Sequence, residues 1–403
     1  MSQRIHIDWR TLAKAAEPTI RNLLRRYQLD EDGLIWNVEN PTYIFSPRPE
    51  DIGYTAGHCA IFHEATGDPL ARDLAKACLV YARRTCARHG GVYFWPTEVP
   101  NLCMQGRVLK QLYRAAQILH DRATLRFIGR WLRAWPAVPE EHRLVERLVP
   151  GLLRQGRPVE HNRGSSQPYN MELEGAGIAW LIGHELGDEV LMERGRDTVL
   201  NYFLPGQRPD GLWDYAPGRG AEEVGYCLYA LYLAAALLPF PEWRDTLAPP
   251  LDRALQEIER RSLLPDGAVY AHFHWGWDHI WETTVFYAHV AWMLQKYGGY
   301  DRSNRIARAL HWFLECRLGD DWTARRWMLS GRMALFDLIR ERVDVEGEAS
   351  SMAQKVETLR RVEAETRAPT DEAHVEYHYS ATIQIHADLV ALLKRIEEQS
   401  VQG

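Results

Sequence analysis

Apolar residues recur at helical spacing along most of this chain, and the pattern predicts a series of helices. The first spans Trp9–Tyr27, behind Asp8 as a candidate N-cap. Others are expected at about 55–65, 70–88, 101–120, 123–135, 169–186, 189–203 and 221–238. They continue to about Arg261, from the 280s to Tyr297, to about Arg317 and to about Arg340, with a last amphipathic helix near Glu376–Ile396.

Two kinds of connection alternate between these helices. Tight turns such as ATGDP, Gly187-Asp188 and Gly298-Gly299 are one kind. Long loops with a glycine followed by aromatics are the other, as in LDEDGLIWNVENP, HGGVYFWPTEVP, RPDGLWDYAPGRG and PDGAVYAHFHWGWDH. Their glycines are Gly33, Gly91, Gly211 and Gly267, at steps of 58, 120 and 56 residues. The long step leaves room for one copy lacking the signature, in the irregular segment Pro136–Pro168.

The helices themselves also alternate. GAGIAWLIG, YCLYALYLAAALL and VFYAHVAWML are small or apolar all round, as in a helix buried on both sides. ARDLAKACLVYARR and RALQEIERR carry charge on one face. Inner and outer helices joined alternately by long and short connections fit an all-α fold, an α/α toroid of about six helical hairpins. Its long loops would all open at one end around a cavity. An open helical solenoid is the competing arrangement. The toroid is expected over 1–342, with a charged insertion or lid at 343–375 and a C-terminal helix at 376–403 packing on it.

Composition narrows the function classes. With 403 residues, 46% hydrophobic and 25% charged, the chain can bury a large core. A net charge of −6 without a basic tract argues against nucleic acid. No apolar run reaches the roughly 18 residues of a membrane span, and the N-terminus has no apolar leader, so a cytoplasmic protein is expected. The six cysteines include no CxxC pair and are expected to be free thiols.

Tryptophan is abundant at 15 residues, many of them in the long loops. Trp36, Trp95, Trp213, Trp275, Trp277 and Trp281 suit stacking on a sugar ring or shielding a cation. The densest chemistry lies in Pro265–His289. There His272 and His274 form an HxH pair, and Asp278 and Glu282 lie four residues apart on one helix face. The HxH pair with Asp278 has the residue types of a metal site, but acid–base work or hydrogen bonding to hydroxyls is the preferred reading, and no metal or cofactor is called for. Asn170, Glu172 and Glu174 open an inner helix, where carboxylates also serve as ordinary capping groups. Tyr215 and Tyr226 flank a loop in which Arg219 is the local cation; Tyr229 and Tyr232 are expected to pack. His58, His63, His374, Glu376, His378 and Tyr379 are further candidates for a cavity mouth.

QPYNMELEGAGIAWLIGHELGD and RPDGLWDYAPGRGAEEVGYCLYALYLAAAL resemble segments of the α/α-toroid carbohydrate-active enzymes, the heparinase- and chondroitin-lyase-like polysaccharide lyases and six-hairpin glycosidases. The strong likeness covers about 70 residues, from Gln167 to Leu238. It implies Asn170 as the group neutralising a substrate uronate, with Tyr226 or His274 as base and Tyr215 as acid in a β-elimination. Met171, Glu172 and Tyr215 stand where those families usually have a histidine, and no β-sandwich pattern follows the helices. The chain's outline is closer to hydrolases of unsaturated or acidic oligosaccharides and to the sugar 2-epimerases; in a hydrolase Glu174 would pair with Asp278 or Glu282. A terpenoid cyclase with an aromatic-lined toroid is the alternative from another class, although no DDxxD or DxDD motif is present. A carbohydrate substrate is thus the expected partner, with His272 and Arg219 among its contacts; the sequence leaves the oligomeric state open.

Overall fold

The computed structural model describes residues 8–15, 27–29, 35–37, 49–89, 92–94, 102–134, 168–215, 224–265, 267–269, 280–315 and 379–400. They fall in two compact units, one of Ile7–Pro205 with His386–Gly403, the other containing Gly206–Ile385.

The first unit starts with α1 (Trp9–Ala15), capped by Asp8, whose carboxylate accepts from the Arg10 amide and the Thr11 hydroxyl. A hairpin of β1 (Tyr27–Leu29) and β2 (Ile35–Asn37) precedes α2 (Pro49–Thr66) and α3 (Pro69–Thr85). A second hairpin, β3 (Ala87–His89) and β4 (Val92–Phe94), precedes α4 (Leu102–Ile118) and α5 (Arg122–Ala134). The third pair is α6 (Tyr169–Leu186) and α7 (Glu189–Asp197). Tight turns join each pair for local reasons. Asp68 caps α3 by accepting from Leu70 and Ala71, and Gly187, in the left-handed region at φ 67°, ends α6. The expected α-helix at 189–203 becomes a π turn from Thr198 to Phe203. There the Thr198 hydroxyl donates to the Arg194 carbonyl, competing for the acceptor of the regular ladder.

The inner helices α2, α4 and α6 pack side by side, with α3, α5 and α7 on their flanks. Between them lies an apolar core that includes Ile52, Leu74, Leu79, Leu109, Leu112, Ile128, Trp131 and Ile182. The last helix of the chain, α12 (Tyr379–Ser400), joins this unit through ion pairs. Asp388 meets Arg114 of α4 at 2.7 Å, and Lys394 meets Glu64 of α2 and lies over the Trp9 ring.

The second unit repeats the plan. Inner helix α8 (Val224–Ala235) is followed by outer α9 (Pro241–Ser262). Inner α10 (Ile280–Met293), extended by a π turn over Leu294–Gly298, is followed by outer α11 (Ser303–Glu315).

The long loops of the repeat are small antiparallel hairpins. Gln207 bridges Trp213 and Leu263 bridges Val269, so the residue four before the glycine pairs with the residue two after it. Leu29 and Ile35 stand in the same relation to Gly33, whereas around Gly91 the register shifts by one, with Arg88 opposite Tyr93. Each hairpin precedes an inner helix and packs on the outer helix after it: β2 on α3, β4 on α5, Gly211 against Arg253 of α9 and Gly267 against Arg308 of α11. At the fourth, Thr283 and Thr284 of α10 bond the Val269 carbonyl and amide. Alternating pattern is too short to announce a strand in three residues, so the sequence marks these segments only as loops.

Gly267 shows what the hairpin demands. Its φ is 102°, and an added Cβ would sit 2.6 Å from the Ala309 amide nitrogen. Gly67 has a φ of 75° but open space around it. Gly67→Ala therefore costs only the left-handed penalty of about 1–2 kcal/mol, and Gly267→Ala costs clearly more. Urea unfolding of the two variants checks this ordering.

Charges tie the Gly211 hairpin to the end of α9. Arg208 bonds Asp210 and Asp214 at 3.0 Å each, and Arg261 bridges Asp210 at 3.2 Å and Glu257 at 2.5 Å. Hydrogen bonds from Arg260, then Arg261, hold the Glu257 pKa down at about 2. A depressed carboxylate pKa contributes stability that is present above the unfolded value of about 4.3 and is lost as pH falls toward the folded value. Unfolding free energy is expected to drop across that acid window, and Glu257→Gln to flatten part of the slope.

Candidate active site

The inner helices of the first unit carry polar side chains where a core helix would carry apolar ones. Thr55 and His58 are buried on α2, Lys110 and Gln111 on α4, and Asn170, Glu172 and Glu174 on α6. Burying an ionisable group carries a large desolvation cost, so a fold concentrates several in one layer for chemistry or for a compensating network.

Small residues make the layer possible. A Cβ on Gly106 of α4 would fall 2.6 Å from the Glu174 Cβ, so the two backbones meet directly there. Glu174 is fully buried at that crossing, at 0% exposure. Asn170 lies one turn before it on the same face, and Glu172 is in the first turn on another face. The helix cap is Pro168, which offers no side-chain acceptor; the Glu172 amide bonds its carbonyl at 3.2 Å. Tyr169, beside Asn170, is fixed by Tyr202 and Phe203, with ring centroids at 5.4 and 6.1 Å. The start of α6 is thus held by packing within its own unit.

In the second unit the structure brings Tyr215 and Tyr226 together, both buried and with ring centroids 4.4 Å apart. Trp213 is buried beside them in sequence, and its amide donates to the Cys227 Sγ at 3.5 Å. Tyr229 and Tyr232 stack on Phe286 at 5.0 and 4.6 Å, and Tyr232 meets the edge of His289. This is the packed helix face that their spacing implies.

Other candidates are partly described. Trp36 lies in β2 opposite Gln28, and Trp281 and Glu282 open α10; their side chains lie outside the described residues. So do Trp95, Arg219, His272, His274, Trp275, Trp277 and Asp278 entirely, and the segment 343–375 with His374, Glu376 and His378. His63 bonds the Asp68 carbonyl in the turn after α2, and Tyr379 begins α12. Lys110 and Gln111 are the residues that the sequence reading missed. They interrupt the apolar face of an amphipathic helix, and the signal available was the pair Lys-Gln flanked by Leu109 and Leu112.

Cys59, Cys78 and Cys227 are buried, and burial pushes Cys59 and Cys227 up to about 12 and Cys78 well above its ordinary value, so these three thiols are poor nucleophiles.

No protein-family model matches the chain, and no curated protein matches it in sequence. Solved structures do match in fold. A sugar epimerase from a ruminal bacterium superposes with a TM-score of 0.58 at 11% identity, over 78% of this chain and 88% of its own. D-mannose isomerase gives 0.58 at 10% identity, over 89% and 100%. An unsaturated glucuronyl hydrolase specific for heparin gives 0.54 at 10% identity, over 94% and 97%. The fold is the α/α toroid of carbohydrate-active enzymes. At these identities the likeness carries the fold, and the reaction has to be argued from the residues. Among the described residues no helix is long and apolar enough to cross a membrane.

Proposed function

We propose that this protein is a carbohydrate-active enzyme that hydrolyses an acidic oligosaccharide bearing an unsaturated uronyl end. The observation that carries this reading is the buried carboxylate Glu174 at the Gly106 crossing, in one layer with Glu172, Asn170, His58 and Lys110. Hydrolysis needs one group to donate a proton to the leaving oxygen and another to activate water. Glu174 is assigned proton transfer and Asn170 hydrogen bonding to the sugar on the same helix face. The match to a glucuronyl hydrolase over nearly the whole of both chains supports the substrate class.

β-Elimination is the second reading, and the contact between Tyr215 and Tyr226 favours it. Tyrosine pairs can divide the removal of a proton from the sugar and its return to the leaving oxygen. The two reactions move one signal in opposite directions. Elimination creates a conjugated C4–C5 double bond and its ultraviolet band; hydrolysis of an unsaturated uronide releases a product that loses it. Incubating the protein with unsaturated uronyl disaccharides and, separately, with uronate polymers discriminates between them.

A further inference from the structure

We infer that Gln111 is a substrate-binding residue whose side-chain amide donates to an oxygen of the bound sugar. The inference rests on the carbohydrate reading above and adds a specificity-determining contact to it.

Gln111 lies on α4 and is 1% exposed. Its Nε2 is buried and makes no hydrogen bond among the described residues. An amide N–H left without an acceptor in a core is costly, and the great majority of buried polar groups are satisfied. An apolar residue of similar size at this position would avoid that cost. The chain keeps the amide in a place shaped for it: Gly57 of α2 faces the Gln111 side chain, and a Cβ there would collide with the amide oxygen. The space that Gly57 leaves is therefore occupied by the carboxamide. The neighbours along the chain are the other polar groups of the layer, His58 next to Gly57 and Lys110 next to Gln111.

A buried donor with no acceptor among the described residues supplies discrimination when a sugar binds. A substrate with an oxygen acceptor satisfies it, and an analogue without one leaves it unpaired. Hydroxyl, ring and carboxylate oxygens of a sugar all qualify; the chemistry required is an acceptor.

The test uses Gln111→Met and Gly57→Ala in the full chain, beside the wild type. Three readouts are taken: Tm without ligand, the shift in Tm with added glucuronate or an unsaturated uronyl disaccharide, and kcat and KM on the disaccharide. Gln111→Met is expected to raise Tm without ligand, to abolish most of the sugar-induced shift and to raise KM at least tenfold with a smaller change in kcat. Gly57→Ala, which displaces the amide without removing it, is expected to raise KM in the same sense. A Gln111→Met protein with lowered Tm and unchanged KM would overturn the inference, since that is how a structural donor behaves. Failure of the underlying carbohydrate reading is distinct, because it appears in the wild type as absence of both sugar-induced stabilisation and turnover.

Discussion

Glu174→Gln is expected to lower kcat by about 10²–10⁴-fold, the usual contribution of a positioned proton-transfer group. The substitution keeps shape and volume, which matters where the Glu174 Cβ packs against the Gly106 backbone. It removes the ability to exchange a proton, together with the charge a carboxylate can carry. KM is therefore expected to change little, and the circular dichroism and Tm to stay near those of the wild type. Asn170→Ala, one turn away, is expected to act mainly on KM. A Glu174→Gln enzyme with kcat within threefold of the wild type would remove Glu174 from the chemistry and shift attention to the Tyr215–Tyr226 pair.

Arg302→Met is expected to destabilise the protein by about 3–5 kcal/mol, the range for removing one partner of a buried ion pair. Arg302 is 4% exposed at its side chain and bonds Asp252 of α9 at 2.5 Å and Glu259 of the same helix at 2.8 Å. Glu259 also takes the Tyr287 hydroxyl of α10 at 2.9 Å and Arg305 of α11. The Glu259 carboxylate thus ties three helices, and removing Arg302 leaves two carboxylates buried without their main counter-ion. Lysine is a poor substitute because an ammonium lacks the planar fork that reaches both acids. Urea unfolding of Arg302→Met and Arg302→Lys measures this, and a loss under about 1 kcal/mol would mean that the network relaxes into solvent.

Much of the architecture was legible because its signals are local. Helix pairs such as 169–186 and 189–197 follow from apolar periodicity and from a Gly-Asp turn whose residues do the capping. The spacing of Gly33, Gly91, Gly211 and Gly267 revealed a repeat that the structure resolves into hairpin, inner helix and outer helix. The hairpins themselves were hidden, since two or three paired residues produce no alternation. The first helix was expected to run to Tyr27, yet Tyr27 is the start of β1, paired with Asn37. That pairing is made by a partner ten residues away, which helical periodicity does not register.

The candidate site was legible by halves. Asn170 and Glu174 stood out because acids and amides at a helix start are conspicuous against GAGIA. Lys110 and Gln111 did not, because long polar side chains within an amphipathic helix look like its solvated face. Only the approach of α2 and α6 on either side of α4, through Gly57 and Gly106, makes that position an interior one.

The most direct test of the central claim follows the ultraviolet absorbance of an unsaturated uronyl disaccharide incubated with wild-type protein and with Glu174→Gln. The account predicts a steady loss of the conjugated band with the wild type and almost none with the variant. A wild-type protein that leaves the band untouched, or a variant that consumes the disaccharide as fast, would contradict it.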